Sequence, residues 1–186
     1  MPDTDIFMLQ LGTINNESDC STDGYSDYTN ISTFLTNNSS NDLTITTHFG
    51  NMYIKVWIDF NDNFVFEDDE FVVDNYLMAS GQGGGDYTET MELVVPDGVN
   101  LGQHLMRVKA NYSQTVPDDT CQGTQYGETE DYTVEIELHT DIDTKPFSNT
   151  DMIVSSFGNN QFEISLQSQE ITETLIINLH NILGQN

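Results

Sequence analysis

Apolar and polar side chains alternate with a period of two along much of this chain, the pattern of strands with one buried face. From Met52 to Phe60 the residues Met52, Ile54, Val56, Ile58 and Phe60 fall on one side, with Tyr53, Lys55, Trp57 and Asp59 on the other. Leu43 and Ile45 against Thr44 and Thr46 predict a strand just before it. Met91, Leu93 and Val95, then Met106, Val108, Ala110 and Tyr112, then Tyr132, Val134, Ile136 and Leu138 mark three further half-buried strands. No window carries a 3.6-residue apolar stripe over three turns, and the connecting stretches, such as SGQGGGDY and VPDDTCQGTQYG, are rich in Gly, Pro, Asn and Asp. The pattern predicts an all-β protein, an antiparallel β-sandwich of jelly-roll or immunoglobulin-like type.

The alternation stops near residue 140, where TDIDTKPFSNT is polar and aperiodic. This predicts a domain over residues 1–139, a linker over 140–150 and a separate segment over 151–186. In that segment MIVSSF, FEISL and TLIINLHNIL read as short strands of a small β-sandwich tail, too short for a confident core of its own. The chain stops at Gly184-Gln185-Asn186 just after an apolar run, which reads as an incomplete, truncated tail.

Charge then narrows the partners. Among 186 residues there are 31 Asp and Glu against four Lys and Arg, a formal net of −27. Such a field repels phosphate, which excludes nucleic acid as a partner and disfavours anionic membrane surfaces. No run approaches the ~20 apolar residues of a spanning helix, and MPDTDIFMLQ has neither the basic nor the apolar region of a signal peptide, so no membrane insertion is expected and any leader lies upstream or has been removed. Uncompensated carboxylates at this density call for screening salt or for divalent cations.

One acidic stretch has the spacing of a cation loop. With Asp59 as position one, Asp59, Asn61, Asn63, Glu67 and Glu70 stand at positions one, three, five, nine and twelve, with the Val65 carbonyl at seven. Ca2+ takes six to eight hard oxygens from a tightly curled backbone, and alternate residues of such a loop point inward. Position six is Phe64 where glycine is the rule, and no helices flank the stretch, so it is not an EF-hand. A strand-flanked calcium loop and a solvated acidic loop both fit the spacing.

Glu128 and Glu130 form a second acidic group: two residues apart on a strand, they share a face, whereas Asp131 points the other way. A shared site and solvated charge both fit. Cys20 and Cys121 lie in polar loops and are expected to form one disulfide in an oxidising compartment, or to stay thiols in the cytosol. Tyr53 and Trp57, two residues apart opposite the apolar stripe, are a candidate ligand platform if that face is open and a second minor core if a loop covers it. His48, His104, His139 and His180 are isolated, and no HExxH, GxSxG or phosphate-loop sequence occurs, so no enzyme is expected.

VWIDFNDNFVFEDDEFV, then LMRVKANY, then GETEDYTVEI resemble the GEVED domain, a secreted bacterial β-sandwich module, with the signature standing here as Gly127, Glu128, Thr129, Glu130, Asp131 and Tyr132. LGTINNES and YSDYTNIS look like the family's opening segment, so the resemblance runs over about residues 6 to 138. It implies calcium at the acidic loop, with weaker affinity where Asn63-Phe64 replaces the usual Asp-Gly. The tail, NNQFEISL followed by TLIINLHNILGQ, is similar to a C-terminal sorting domain of the type IX secretion system of Bacteroidetes, whose Asn-x-x-Gly-Gln turn corresponds to Asn181, Gly184 and Gln185. Its usual Pro-Asn-Pro opening is missing. Together the resemblances imply a non-catalytic, calcium-stabilised structural or adhesive module of a larger secreted or cell-surface protein. The type IX secretion machinery would be its partner through the tail, and a glycan or cell-surface ligand a partner of the sandwich. The alternative is a carbohydrate-binding accessory module of a secreted polysaccharide-degrading enzyme.

Overall fold

A computed structural model of the chain describes residues 4–138, 150–158 and 161–168. The chain divides into two units, residues 1–139 and 140–186. All regular structure in the described residues is strand.

The first unit holds nine strands: β1 (Ile6–Leu11), β2 (Ile14–Glu17), β3 (Tyr25–Thr36), β4 (Ser39–Phe49), β5 (Met52–Ile58), β6 (Phe71–Met78), β7 (Gly84–Val95), β8 (Gly102–Tyr112) and β9 (Thr129–Glu137). They form two sheets, one ordered β2-β1-β4-β7 and the other β3-β9-β8-β5-β6. Alternate residues of both sheets fill a common core: Leu9, Leu11, Leu43, Ile45 and Leu93 from the first, Ile54, Val56, Ile58, Val108, Val134 and Ile136 from the second. This is the β-sandwich that the alternation predicts, because a sheet with one apolar face is stable only when that face meets another.

One pair departs from the antiparallel expectation. β3 runs parallel to β9, with Tyr25 opposite Thr129 and Thr36 opposite Glu137, and the register shifts between Tyr28 and Ser32. No local pattern encodes this, since β3 reaches β9 only after the chain has crossed to the other sheet and returned.

β5 is buried on both sides. Its second face is covered where β6 bulges: Ile54 pairs with Tyr76 and Val56 with Val73, so Asp74 and Asn75 bow out of register. The bulge carries Asp74 to 3.1 Å from the Lys55 amine, while Asp118 reaches it at 2.8 Å from the β8–β9 connection.

In the second unit, β10 (Thr150–Gly158) and β11 (Gln161–Ser168) form an antiparallel hairpin over the predicted MIVSSF and FEISL strands. Most of the predicted 140–150 linker and the whole TLIINLHNIL run lie outside the described residues.

Candidate functional site: a curled acidic loop and a buried acid cluster

The stretch from Asp59 to Glu70 leaves β5 and returns to the start of β6, and it is wound on its own carboxylates. Asp59 accepts hydrogen bonds from the backbone N–H groups of Asn63 (3.2 Å, Oδ1) and Phe64 (2.9 Å, Oδ2). The side-chain oxygen of Asn61 accepts from Asn63 N–H at 3.0 Å, and that of Asn63 accepts from Val65 N–H at 2.7 Å. Glu70 closes the loop from the far side, with one oxygen accepting from Phe60 N–H at 2.9 Å and the other from Glu67 N–H at 3.1 Å. Charged acceptors holding backbone donors are the strong class of such bonds, so the curl is built into the ligand-type residues themselves.

Glycine is absent from position six, yet its conformation is present. Phe64 stands at φ +65° in the left-handed region, with its ring almost fully exposed. A side chain costs roughly 1–2 kcal/mol there, and the two Asp59 bonds on this turn offset it. The residue type argued against the turn; the neighbouring Asx chemistry enforces it.

Asp59 and Glu70 are buried, while Asn61 and Asn63 turn their amide nitrogens to the two oxygens of Glu67 at 3.1 and 2.7 Å. Burial, opposed by the Glu67 N–H bond and reinforced by the Glu67 and Asp59 carboxylates, pushes the Glu70 carboxyl up to about 7. His104 packs against the loop, its Nδ1 lying 3.1 Å from the Asp59 carbonyl and 3.0 Å from Asp62. Among the described residues no three His, Cys, Asp or Glu side chains stand together as a preformed metal cluster. A cation in this loop would therefore draw on the Asn61 and Asn63 amide oxygens and the Val65 carbonyl beside the carboxylates. That all-oxygen set on a curled loop fits Ca2+ and does not suit zinc.

Glu128 and Glu130 do share one face, and both are wholly buried, with Asp5 beside them. Glu128 accepts from Ile6 N–H at 3.2 Å and Ser21 N–H at 3.1 Å. Glu130 accepts from the Ser18 hydroxyl and from the Tyr132 phenol, each at 2.9 Å, and Asn16 in turn donates to Tyr132 at 2.9 Å. The cluster thus ties the β1–β2 segment to β9. Among the described residues no cation pairs with Glu128 or Glu130, and burial, opposed by the two hydroxyl bonds and reinforced by the Glu128 and Asp5 charges, pushes Glu130 up to about 8. Burial raises Glu128 as well.

The two acidic groups are separate. Asp59 N–H donates to the Leu105 carbonyl of β8, and the Glu128 carbonyl accepts from Ala110 N–H five residues along that strand, about 17 Å away. Gly127 precedes this contact because a Cβ there would lie 2.0 Å from the Ala110 carbonyl oxygen.

Two expectations need correction. Trp57 is only 2% exposed: Phe66 covers it at 6.3 Å between ring centroids and the Lys55 amine sits 5.2 Å above it, so Trp57 belongs to a second minor core and, with Tyr53 only partly exposed, the pair forms no open platform. Cys20 and Cys121 are both exposed thiols and are not joined. The Cys20 thiol lies 3.7 Å from the Ser21 carbonyl, and Cys121 sits on a turn where Asp119 accepts its backbone N–H.

The site that sequence reasoning missed is Lys109. It is buried, and its amine donates to the Thr120 and Gln122 carbonyls. Burial and the nearby Arg107 charge lower its pKa. A lysine within an apolar alternation was the available signal.

Fold and site define a β-sandwich module with a carboxylate-wound loop on one sheet. The GEVED domain family matches residues 53–135, a span that takes in the acidic loop and the Gly127–Tyr132 stretch. No curated protein matches the chain.

Proposed function

We propose that residues 4–138 are a non-catalytic module of a larger secreted or cell-surface protein, and that the Asp59–Glu70 loop binds one Ca2+ that stabilises it. The observation that carries this reading is the hydrogen bonding of Asp59 and Glu70 to backbone N–H groups of their own loop. The curl already exists, and two buried carboxylates with Glu67 gather negative charge that a divalent cation neutralises. The role is structural or adhesive: the loop closes the β5–β6 connection and the sandwich presents its other loops to partners. Delivery through a type IX sorting tail rests on the Asn181, Gly184 and Gln185 turn, which lies outside the described residues.

Thermal unfolding of chelated protein with and without millimolar calcium tests this. A ligand at 100 times its dissociation constant adds about 2.7 kcal/mol. The expected stabilisation disappears in Asp59→Ala and Glu70→Ala; an unchanged melting temperature with calcium would return the loop to solvated charge.

A further inference from the structure

The connection from β8 to β9 encloses a half-open cleft of about 290 Å³ whose walls contain no charged side chain. In a chain with 31 acids this sets it apart from two other clefts among the described residues: the one beside Lys55 is lined by Asp68, Asp74 and Asp118, and the one beside Phe60 by Asp69, Glu70 and Asp97. Its polar side chains are the amides of Asn111, Gln114, Gln122 and Gln125 and the hydroxyls of Ser113, Thr115 and Thr124, and the partly exposed Tyr126 stands in its wall.

The cleft is held from below. Lys109 anchors the Thr120 and Gln122 carbonyls, Asn111 Nδ2 donates to the Thr115 carbonyl at 3.0 Å, and Val116 N–H donates to Asn75 at 2.7 Å. Tyr112 N–H donates to the Tyr126 carbonyl at 2.8 Å, which sets the Tyr126 backbone against β8. Pre-organisation of this kind lowers the ordering cost of binding.

We propose that this cleft binds a neutral saccharide. An anion meets no Lys or Arg here and a net charge of −27 beyond; a cation is better served by the acidic clefts; an apolar ligand finds mostly amides and hydroxyls. A polyhydroxylated neutral ring matches the set, since amides both donate and accept and a tyrosine face covers the C–H side of a sugar. A cleft of this size is small for a drug-like ligand and suits one or two sugar units. The inference does not depend on calcium in the acidic loop.

The test titrates the full chain by amide NMR with cellotetraose, xylotetraose, laminaritetraose and mannotetraose, each to about 10 mM, and with tetragalacturonate as the charged control. Expected is saturable shifting of residues 111–126 by at least one neutral tetrasaccharide and none by the acidic one. Tyr126→Ala weakens binding at least about tenfold with an unchanged melting temperature, and Tyr126→Phe retains it. Absence of saturable shifts with all four neutral probes, equal binding of the acidic probe, or Tyr126→Ala binding as tightly as the parent would overturn the proposal.

Discussion

Arg107 grips Asp131 with two parallel bonds, 2.7 Å from Nε to one carboxylate oxygen and 2.6 Å from Nη2 to the other. Asp131 is buried and Arg107 largely so, and the guanidinium also lies 5.2 Å from the Phe66 ring, beneath the cover of Trp57. The next residue back, Glu130, faces the opposite side of β9, wholly buried and without a cationic partner among the described residues. Adjacent acids on one strand thus meet opposite electrostatics.

Removing the cation exposes the first half of that contrast. Arg107→Met leaves the buried Asp131 charge without its cation and with the Tyr25 phenol, at 3.0 Å, still donating to it, a change expected to cost about 3–5 kcal/mol in denaturant unfolding. Adding Asp131→Asn to the same chain should recover a substantial part, because no stranded charge remains. A double variant no more stable than Arg107→Met alone would contradict this.

Glu130 sets a pH dependence of definite sign. Its folded pKa of about 8 lies above the unfolded value near 4.5, so the folded state holds the proton more tightly. Stability is therefore greatest below about pH 4.5 as far as this group is concerned, and it is lost as pH rises toward 8, at up to about 1.4 kcal/mol per pH unit. Glu128, also raised by burial, acts in the same direction. Urea unfolding at pH 5, 7 and 9 should show the decline, and Glu130→Gln should make it shallower, with Glu128 and Glu70, both also raised, supplying what remains. A parent protein equally stable across that range, or a Gln variant with the parent's slope, would contradict the assignment.

Trp57 is expected to matter for folding and not for a ligand. Trp57→Ala opens a cavity between Phe66 and Lys55 and should cost about 3–5 kcal/mol. Trp57→Phe, which keeps most of the packing, should cost markedly less. A near-neutral Trp57→Ala would place the ring in solvent after all.

Much of this was legible in the chain, and the gaps have physical reasons. β4, β5, β7, β8 and β9 follow from alternation because each turns one apolar face to the common core, β5 included although Lys55 and Trp57 on its other face are buried as well. β1 is apolar at nearly every position, IFMLQL, and so breaks the period of two, while β2, only four residues long, and β3, a polar edge strand, carry too few alternating apolar positions to announce themselves. The common face of Glu128 and Glu130 follows from the period of a strand, but their burial comes from Ser18, Ser21 and Ile6, more than a hundred residues away in sequence. The ligand spacing of Asp59, Asn61, Asn63 and Glu70 was readable; the left-handed Phe64 was not, because its cause is the Asp59 carboxylate and not its own residue type.

Phe64 gives that point a direct test. Phe64→Gly removes the strain of φ +65° and sacrifices little packing, since the ring is 87% exposed. The gain is offset in part by the greater freedom of glycine in the unfolded chain, leaving a net stabilisation of up to about 1 kcal/mol. Calcium affinity should rise in the same variant. Destabilisation by more than about 1 kcal/mol would show that the ring makes contacts that matter.

The most direct test of the central claim is equilibrium dialysis of radioactive calcium against the chelator-stripped chain at physiological salt. The account predicts one saturable ion per chain, lost in Glu70→Gln and Asp59→Asn and retained in Glu130→Gln, whose residue lies on β9 opposite Val108 and outside the loop. No saturable ion, or one held as tightly by Glu70→Gln and Asp59→Asn as by the parent, would contradict it.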